Sequence, residues 1–322
     1  MRDDLPPLVS EARRWGRAQL EPLSELPELD RVDKDLTARH VDDLLCFAQD
    51  CSLSTLLARA DERLKPEAWS TFQNCIKRRL EHEPMQYIVG AAAFRDLELQ
   101  TGPGVLIPRP ETEILVETAL SLFDGSQERC RIIDVGTGTG AIILSLFSEL
   151  REKFGADFCA RSEFTATDIS LDALSLARCN AEKYGLLKQI SFLRGSLLAG
   201  LTPGSSEDGT LIISNPPYIE DGAVLPQSVA SFEPATALRA GEQGLDVIKE
   251  LISLALPWLS KGAVLLLEIG DEHQSAVESV AAQSGSLVCG FINDLRGVAR
   301  VALITQCESS TLLKAAAGLK ES

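Results

Sequence analysis

Asn215-Pro216-Pro217-Tyr218 follows an apolar run, Leu211-Ile212-Ile213, that predicts a buried strand over 210–214. Neither proline has an N–H, and each fixes φ at about −65°. The residue before a proline is pushed to an extended shape. The loop is therefore stiff, and its carbonyls point outward. A planar NH2 group has two hydrogens to donate. The Asn215 side-chain oxygen can accept one and the Pro216 carbonyl the other, while Tyr218 offers a flat face for packing. Asn215, Pro216, Pro217 and Tyr218 are thus the candidate catalytic and substrate-binding residues. An amide nitrogen is a poor nucleophile because its lone pair is shared with the carbonyl. Two acceptors on its hydrogens favour a pyramidal nitrogen and stabilise the positive charge that grows there as a new bond forms. Alignment with the electrophile supplies much of the rest. The sequence offers no dedicated general base. For the two prolines alone, a turn that closes a strand is the plain structural alternative.

A second cluster, "IIDVGTGTGAI" at 132–142, reads as a strand, a glycine-rich turn and a helix start. Gly136, Thr137, Gly138, Thr139 and Gly140 are candidate cofactor-binding residues, because the glycines let backbone approach a ligand. A glycine turn of this kind also serves dinucleotide enzymes, or no ligand at all. The next strand ends in Asp168, whose carboxylate can accept hydrogen bonds from both hydroxyls of a ribose. A nucleoside ligand follows. The neighbouring acids, Asp134, Asp168 and Asp172, suit a cationic sulfonium better than a pyrophosphate, which favours S-adenosylmethionine over NAD.

These pieces need a scaffold. From about 111 the pattern alternates strand and helix, as in a parallel sheet covered on both faces. Strands are expected at 131–135, 164–168, 190–194, 210–214, 263–268, 286–291 and 299–305. Helices are expected at 111–123, 139–154, 171–184, 243–259 and 272–283, with a surface loop at 203–209. Asn215 then falls at the carboxyl end of the fourth strand, the edge where ligands sit in open α/β sheets. The division reads as an N-terminal helical domain over 1–83 with a face that could dock a partner, a β-hairpin linker over 84–110 closed by Pro108-Arg109-Pro110, an α/β domain over 111–307, and a frayed tail over 308–322. In the first of these, Val41, Leu44, Leu45 and Ala48, and again Trp69, Phe72, Ile76 and Leu80, recur at helical spacing over four or five helices.

Composition narrows the function. The 322 residues carry 47 acids against 31 bases, a net charge of −16. A chain this acidic lacks the basic footprint that wraps duplex nucleic acid, so no direct nucleic-acid partner is expected. The eight cysteines form no CxxC pair and the three histidines no HExxH pattern, which points to reduced thiols in a cytoplasmic protein and no metal centre. No apolar run reaches the roughly 20 residues that span a bilayer, and the acidic, proline-containing start is unlike a signal peptide. A monomer without membrane contact is expected. Some residues fit two readings. Arg109 and Glu111 suit a cofactor mouth or a linker salt bridge, and Glu233-Pro234 a substrate loop or a helix-start turn. Glu268 suits an active edge or a loop cap, and Lys77-Arg78-Arg79 a solvated face or an acidic partner.

The chain resembles the release factor glutamine methyltransferases, bacterial and organellar, over about residues 83–305. The resemblance rests on "EPMQYIVG" (83–90), "VLIPRPETE" (105–113), "DVGTGTGAI" (134–142), "TDIS" (167–170), "ALSLARCNA" (173–181), "SNPPYI" (214–219), "FEPATAL" (232–238) and "LEIG" (267–270). It implies a class I methyltransferase fold for 111–307, the catalytic domain, a Rossmann-like seven-stranded sheet with the last strand antiparallel, beside a small, substrate-protein-binding helical domain over 1–83 that engages the release factor. It implies S-adenosylmethionine as cofactor, held by the Gly136–Gly140 loop, Asp168 and Asn215, and S-adenosylhomocysteine as product. It also implies that the Asn215–Tyr218 loop holds the glutamine amide of a Gly-Gly-Gln motif, so that the enzyme modulates translation termination. Relatives often carry an acid and an aromatic after the third strand. This chain has Ser196 and Leu197 there, and Leu197 is expected to cover the adenine by apolar contact. A DNA or RNA amino-methyltransferase using the same loop, and a cofactor-binding scaffold without chemistry, are the alternative readings.

Overall fold

The computed structural model describes residues 5–27, 31, 34–204, 209–284 and 287–306. The expected tail after 307 lies outside them. Two units are distinguished by internal packing: Met1–Ala91 with Val224–Glu233, and Ala92–Ala223 with Pro234–Ser322.

The first unit is helical: α1 Val9–Leu20, α2 Lys34–Gln49, α3 Leu53–Ala58, α4 Pro66–Leu80 and α5 Met85–Val89, with α10 Gln227–Ala230 from the later segment. Ser52 caps α3 by accepting from the Thr55 N–H, and Pro66 opens α4 at a position where a missing N–H costs nothing. The apolar stripes meet around Leu44, Leu45, Phe72 and Ile76, all fully buried. Lys77-Arg78-Arg79 is not a uniformly solvated face. Arg78 grips Glu83 at 2.6 and 2.7 Å and reaches the Tyr87 and Ile88 carbonyls, and Arg79 is buried and donates to the Glu83 carbonyl. Only Lys77 of the three is exposed. Residues 84–90, expected as part of a hairpin, begin instead with the single turn α5, ended by Gly90 at φ 74°.

The second unit opens with the hairpin β1 Ala91–Phe94 and β2 Leu97–Gln100, then α6 Thr112–Ser121. β3 Cys130–Val135, α7 Ala141–Phe154, α8 Ala156–Arg161, β4 Glu163–Asp168, α9 Leu171–Lys183, β5 Ile190–Arg194 and β6 Gly209–Ser214 follow. α11 Asp246–Leu259, β7 Val264–Glu268, α12 Gln274–Gln283, β8 Val288–Asn293 and β9 Ala299–Thr305 complete it. The seven-stranded sheet has the order β5-β4-β3-β6-β7-β9-β8. β9 is antiparallel to both neighbours and the other pairs are parallel, the mixed sheet expected of the resemblance. Fully buried apolar side chains alternate to the two faces of the central strands, Ile132 and Leu211 to one core, Ile133 and Ile212 to the other.

From β3 the chain winds outward through β4 and β5, then returns to lay β6 on the other side of β3. Strand order reverses there, and the carboxyl ends of β3 and β6 splay their loops apart to leave a crevice. Val135 pairs with Ser214, whose hydroxyl donates to the Val135 carbonyl at 2.6 Å.

Asn180 of α9 ties the hairpin to the loop after β3. It is fully buried, donates to the Gln100 carbonyl at 3.0 Å and the Thr139 carbonyl at 2.9 Å, and accepts from the Gln100 N–H at 2.7 Å. Asn180→Ala strands three backbone groups at once and should cost about 2–3 kcal/mol or more of stability. A lower urea midpoint with an unchanged slope will show it.

Candidate active site

The loop after β3 turns on Gly136, Gly138 and Gly140, at φ 73°, 56° and 84°. An L side chain is strained at all three, and the glycines satisfy that requirement. The loop is pinned from below: the Gly136 and Thr137 N–H groups both donate to the Thr167 carbonyl at 2.9 Å. Asp134, wholly buried under it, accepts from the Thr137 hydroxyl at 2.6 Å. Burial pushes the Asp134 carboxyl up to about 7, against the pull of the Thr137 bond. Asp134 is therefore a support for the loop from within the core.

A cavity of about 400 Å³ opens at the switch point, in the range of small-molecule sites. Its floor is Gly136, Thr137, Gly138 and Thr139, its walls include Asp168, Leu197, Asn215, Pro216 and Pro217, and its rim includes Arg109 and Arg239. A Cβ added at Gly136 would meet no protein atom within 4 Å, so the loop leaves open space where a ligand can lie on its backbone. Gly140 does not line the cavity. A Cβ there would come within 3.1 Å of Leu144 and 3.3 Å of Ala177, so this glycine serves the packing of α7 on α9.

Asp168 sits half-buried at the end of β4. One carboxylate oxygen accepts from the Gly138 N–H at 3.0 Å and the other from the Ser170 N–H at 2.9 Å, which fixes its plane at the cavity wall. Each oxygen keeps a further lone pair. Leu197 holds φ 51°, a left-handed conformation that costs a residue with a side chain about 1–2 kcal/mol. The Thr167 hydroxyl donates to its carbonyl at 3.2 Å and stabilises that turn.

At the end of β6, Pro216 is buried and Asn215 half-buried. The Asn215 Nδ2 donates to the Thr112 hydroxyl oxygen at 2.9 Å, which leaves its Oδ1 for an incoming donor. Tyr218 does not line the cavity. Its hydroxyl donates to Glu268 Oε1 at 3.2 Å, and its ring meets His273 edge-on at 6.1 Å. Burial and the Glu268 charge push its phenol well above the ordinary range.

The segment behind this loop is strapped down. Ile219 exchanges backbone bonds with Leu238 and Ala240 at 2.9 Å, and Asp221 donates to the Gly241 carbonyl at 2.9 Å. Arg239 donates to the Glu220, Asp221 and Ala223 carbonyls at 2.7, 2.5 and 3.1 Å. Glu233 is buried in the first unit and donates its N–H to the Val229 carbonyl at 3.0 Å.

Thr112 and Arg239 were not assigned site roles from the sequence, and Tyr218, expected to bind substrate, is instead paired with Glu268. Thr112 lies inside the "VLIPRPETE" stretch, 103 positions before the asparagine it holds. That motif was the only signal that could have found it.

Residues 11–90 match a PrmC N-terminal domain model and residues 126–255 a methyltransferase domain model. The release factor glutamine methyltransferase of Moorella thermoacetica is 41% identical over 73% of this chain and 80% of its own length. The one from Koribacter versatilis is 34% identical over 86% of this chain and 94% of its own. A solved human Mettl16 catalytic domain, in complex with an RNA hairpin, aligns with a TM-score of 0.49 and 15% identity over 76% of this chain and 84% of that one. With a glycine floor and an Asn-Pro-Pro wall on one crevice, and with relatives matched over most of both chains, this chain belongs to the release factor glutamine methyltransferase family.

Proposed function

We propose that this enzyme methylates the side-chain amide nitrogen of the glutamine in the Gly-Gly-Gln motif of peptide chain release factors, with S-adenosylmethionine as methyl donor. The observation that carries this reading is the convergence of two loops of different chemistry on one cavity: the glycine turn after β3 and the Asn215-Pro216-Pro217 turn after β6. Membership of the family supplies the substrate.

The residues fit the cofactor. Gly136 to Thr139 line the cavity floor, with Gly136 exposed, Asp168 offers a fixed carboxylate for ribose hydroxyls, and Leu197 an apolar surface for a base. S-adenosylmethionine supplies an electrophilic methyl on a sulfonium. The protein's own work is on the acceptor. Asn215 Oδ1 takes one amide hydrogen and the Pro216 carbonyl the other, which frees the nitrogen lone pair and stabilises the positive charge that develops there. The fixed prolines hold both acceptors in place before substrate arrives, so little reorganisation is left for the reaction. The walls of the cavity are largely apolar, which strengthens these contacts by excluding water. The release factor is read as the partner of the N-terminal helical domain. The setting is read as cytoplasmic and the enzyme as a monomer. Among the described residues no helix is long and apolar enough to cross a membrane.

Asp168→Ala is expected to weaken S-adenosylmethionine binding by about tenfold or more, through the lost charge-assisted ribose bonds. Calorimetry on the folded variant checks this, and unchanged affinity removes Asp168 from the role. The function itself is tested by mass spectrometry of a release factor after incubation with enzyme and cofactor. The glutamine of Gly-Gly-Gln should gain one methyl group. Methyl incorporation into nucleic acid and not into the release factor would refute the reading.

A further inference from the structure

The turn that joins β8 to β9 lies at the same sheet edge as the candidate site. Ser214 pairs with Leu267 and Glu268 with Val301, so Asn215, Glu268 and Val301 stand level across β6, β7 and β9. Back from Val301, the start of β9 runs beyond that level. Ala299 pairs with Asn293, and residues 294–298 form the turn farther out. β9 is two places from β6 in the sheet. At ordinary strand spacing and rise, the turn is roughly 15 Å from Asn215 and stands proud of the rim.

Leu295, in this turn, is 106% exposed, the highest value for a large apolar residue among the described residues. Single exposed leucines are common and mean little alone. This one is set apart by the rigidity of its support. Asp294, its side chain 7% exposed, accepts through one oxygen from the Arg296 N–H at 2.9 Å and the Val298 N–H at 3.1 Å. The other oxygen accepts from the Arg296 guanidinium at 3.1 and 3.3 Å and from Arg300 at 3.3 Å. The backbone closes twice, from the Asp294 N–H to the Val298 carbonyl at 2.8 Å and from the Gly297 N–H to the Asp294 carbonyl at 2.9 Å. Arg300 also donates to the Ile269 carbonyl at 3.3 Å and to Asp271 at 2.6 Å, just past the end of β7. The turn is thus braced to the loop beside the site, and little backbone freedom is left to lose when Leu295 is covered.

We propose that this turn is a docking post for the folded release factor, with Leu295 seated in an apolar recess of the domain that carries the Gly-Gly-Gln loop and the Arg296 guanidinium at the margin of that contact. This rests on the glutamine-methylating reading above. Reach singles out the protein substrate as the occupant. A standard protein interface covers about 800 Å² on each partner, a patch roughly 30 Å across. A body that delivers a glutamine to Asn215 therefore extends about 15 Å to each side of it and meets a post that stands above the rim at that distance. A fixed apolar anchor with an arginine beside it also matches the composition of protein interfaces, where arginine is enriched and other charged residues are depleted.

The test compares methylation of an intact release factor by the wild-type enzyme and by Leu295→Ser, a change at a fully exposed position that leaves the core alone. KM for the release factor should rise by about tenfold or more, with kcat at saturation and cofactor affinity unchanged. Val288→Ser, at the other end of the same hairpin and 41% exposed, should leave KM where it is. A photo-crosslinker, p-benzoylphenylalanine, placed at position 295 should join the enzyme to the release factor, with the linked residue in the domain that carries the Gly-Gly-Gln loop. An unchanged KM in Leu295→Ser overturns the proposal. So does an equal rise in Val288→Ser, or a crosslink that forms only to a second copy of the enzyme. A wild-type enzyme that methylates no release factor overturns the functional reading and the post with it. Methylation that proceeds with an unchanged KM in Leu295→Ser removes the post alone.

Discussion

Asn215→Ala is expected to lower kcat for methyl transfer by about a thousandfold or more, the scale seen when one preorganised hydrogen-bonding group is removed from a reacting centre. The cavity floor at Gly136 to Thr139 and the Asp168 carboxylate are untouched by the change, so cofactor affinity should move little. Two losses combine. The acceptor for one amide hydrogen disappears, and the Thr112 hydroxyl loses the donor now 2.9 Å away. Single-turnover kinetics with saturating cofactor, beside calorimetry, separates transfer from binding. Full activity in the variant would remove Asn215 from the centre of the reaction.

Gly244→Ala should be nearly as damaging, from a residue that touches no substrate. Gly244 holds φ 66°, and a Cβ there would sit 2.2 Å from the Tyr218 carbonyl oxygen and 2.9 Å from its carbon. Both are backbone atoms, so no side chain can swing away. The strap formed by Ile219 with Leu238 and Ala240 would have to part, and with it the support of the turn that presents Asn215. A displacement of about 1 Å at an acceptor can cost about a hundredfold in rate. The clash falls on the strap and not on the ladder of the seven-stranded sheet, so the variant should remain folded. Circular dichroism with steady-state kinetics checks both halves. A fully active Gly244→Ala would mean that the loop tolerates displacement.

Much of the second unit was legible because its strands are short apolar runs between turn signals. The expected 190–194 and 299–305 match Ile190–Arg194 and Ala299–Thr305, and the remaining described strand ends differ by one or two residues. The turn α8 escaped notice because Gly155 marks an end, and "ADFCAR" is too short to show a period. Side-chain partnerships were the harder part. Arg78 reads locally as one of three cations on a helix end, yet its carboxylate partner is five residues on, past the helix. Tyr218 reads as a loop aromatic available to a ligand, yet its partner Glu268 is 50 positions away. Glycine turns and proline pairs restrict their own backbone and so announce themselves. A carboxylate bonded to a side chain 50 positions away is indistinguishable in sequence from any other strand end.

The Val135–Ser214 pairing has a mechanical implication. Both loops of the proposed site are carried on adjoining rails of one ladder, cross-braced by a hydroxyl. When the sheet flexes, the two loops travel together, and the gap between them is conserved even as each changes position against the rest of the molecule. The tolerance that methyl transfer demands is thus built into a single shared joint, and motion of the helices packed on the sheet can be large without spoiling the alignment.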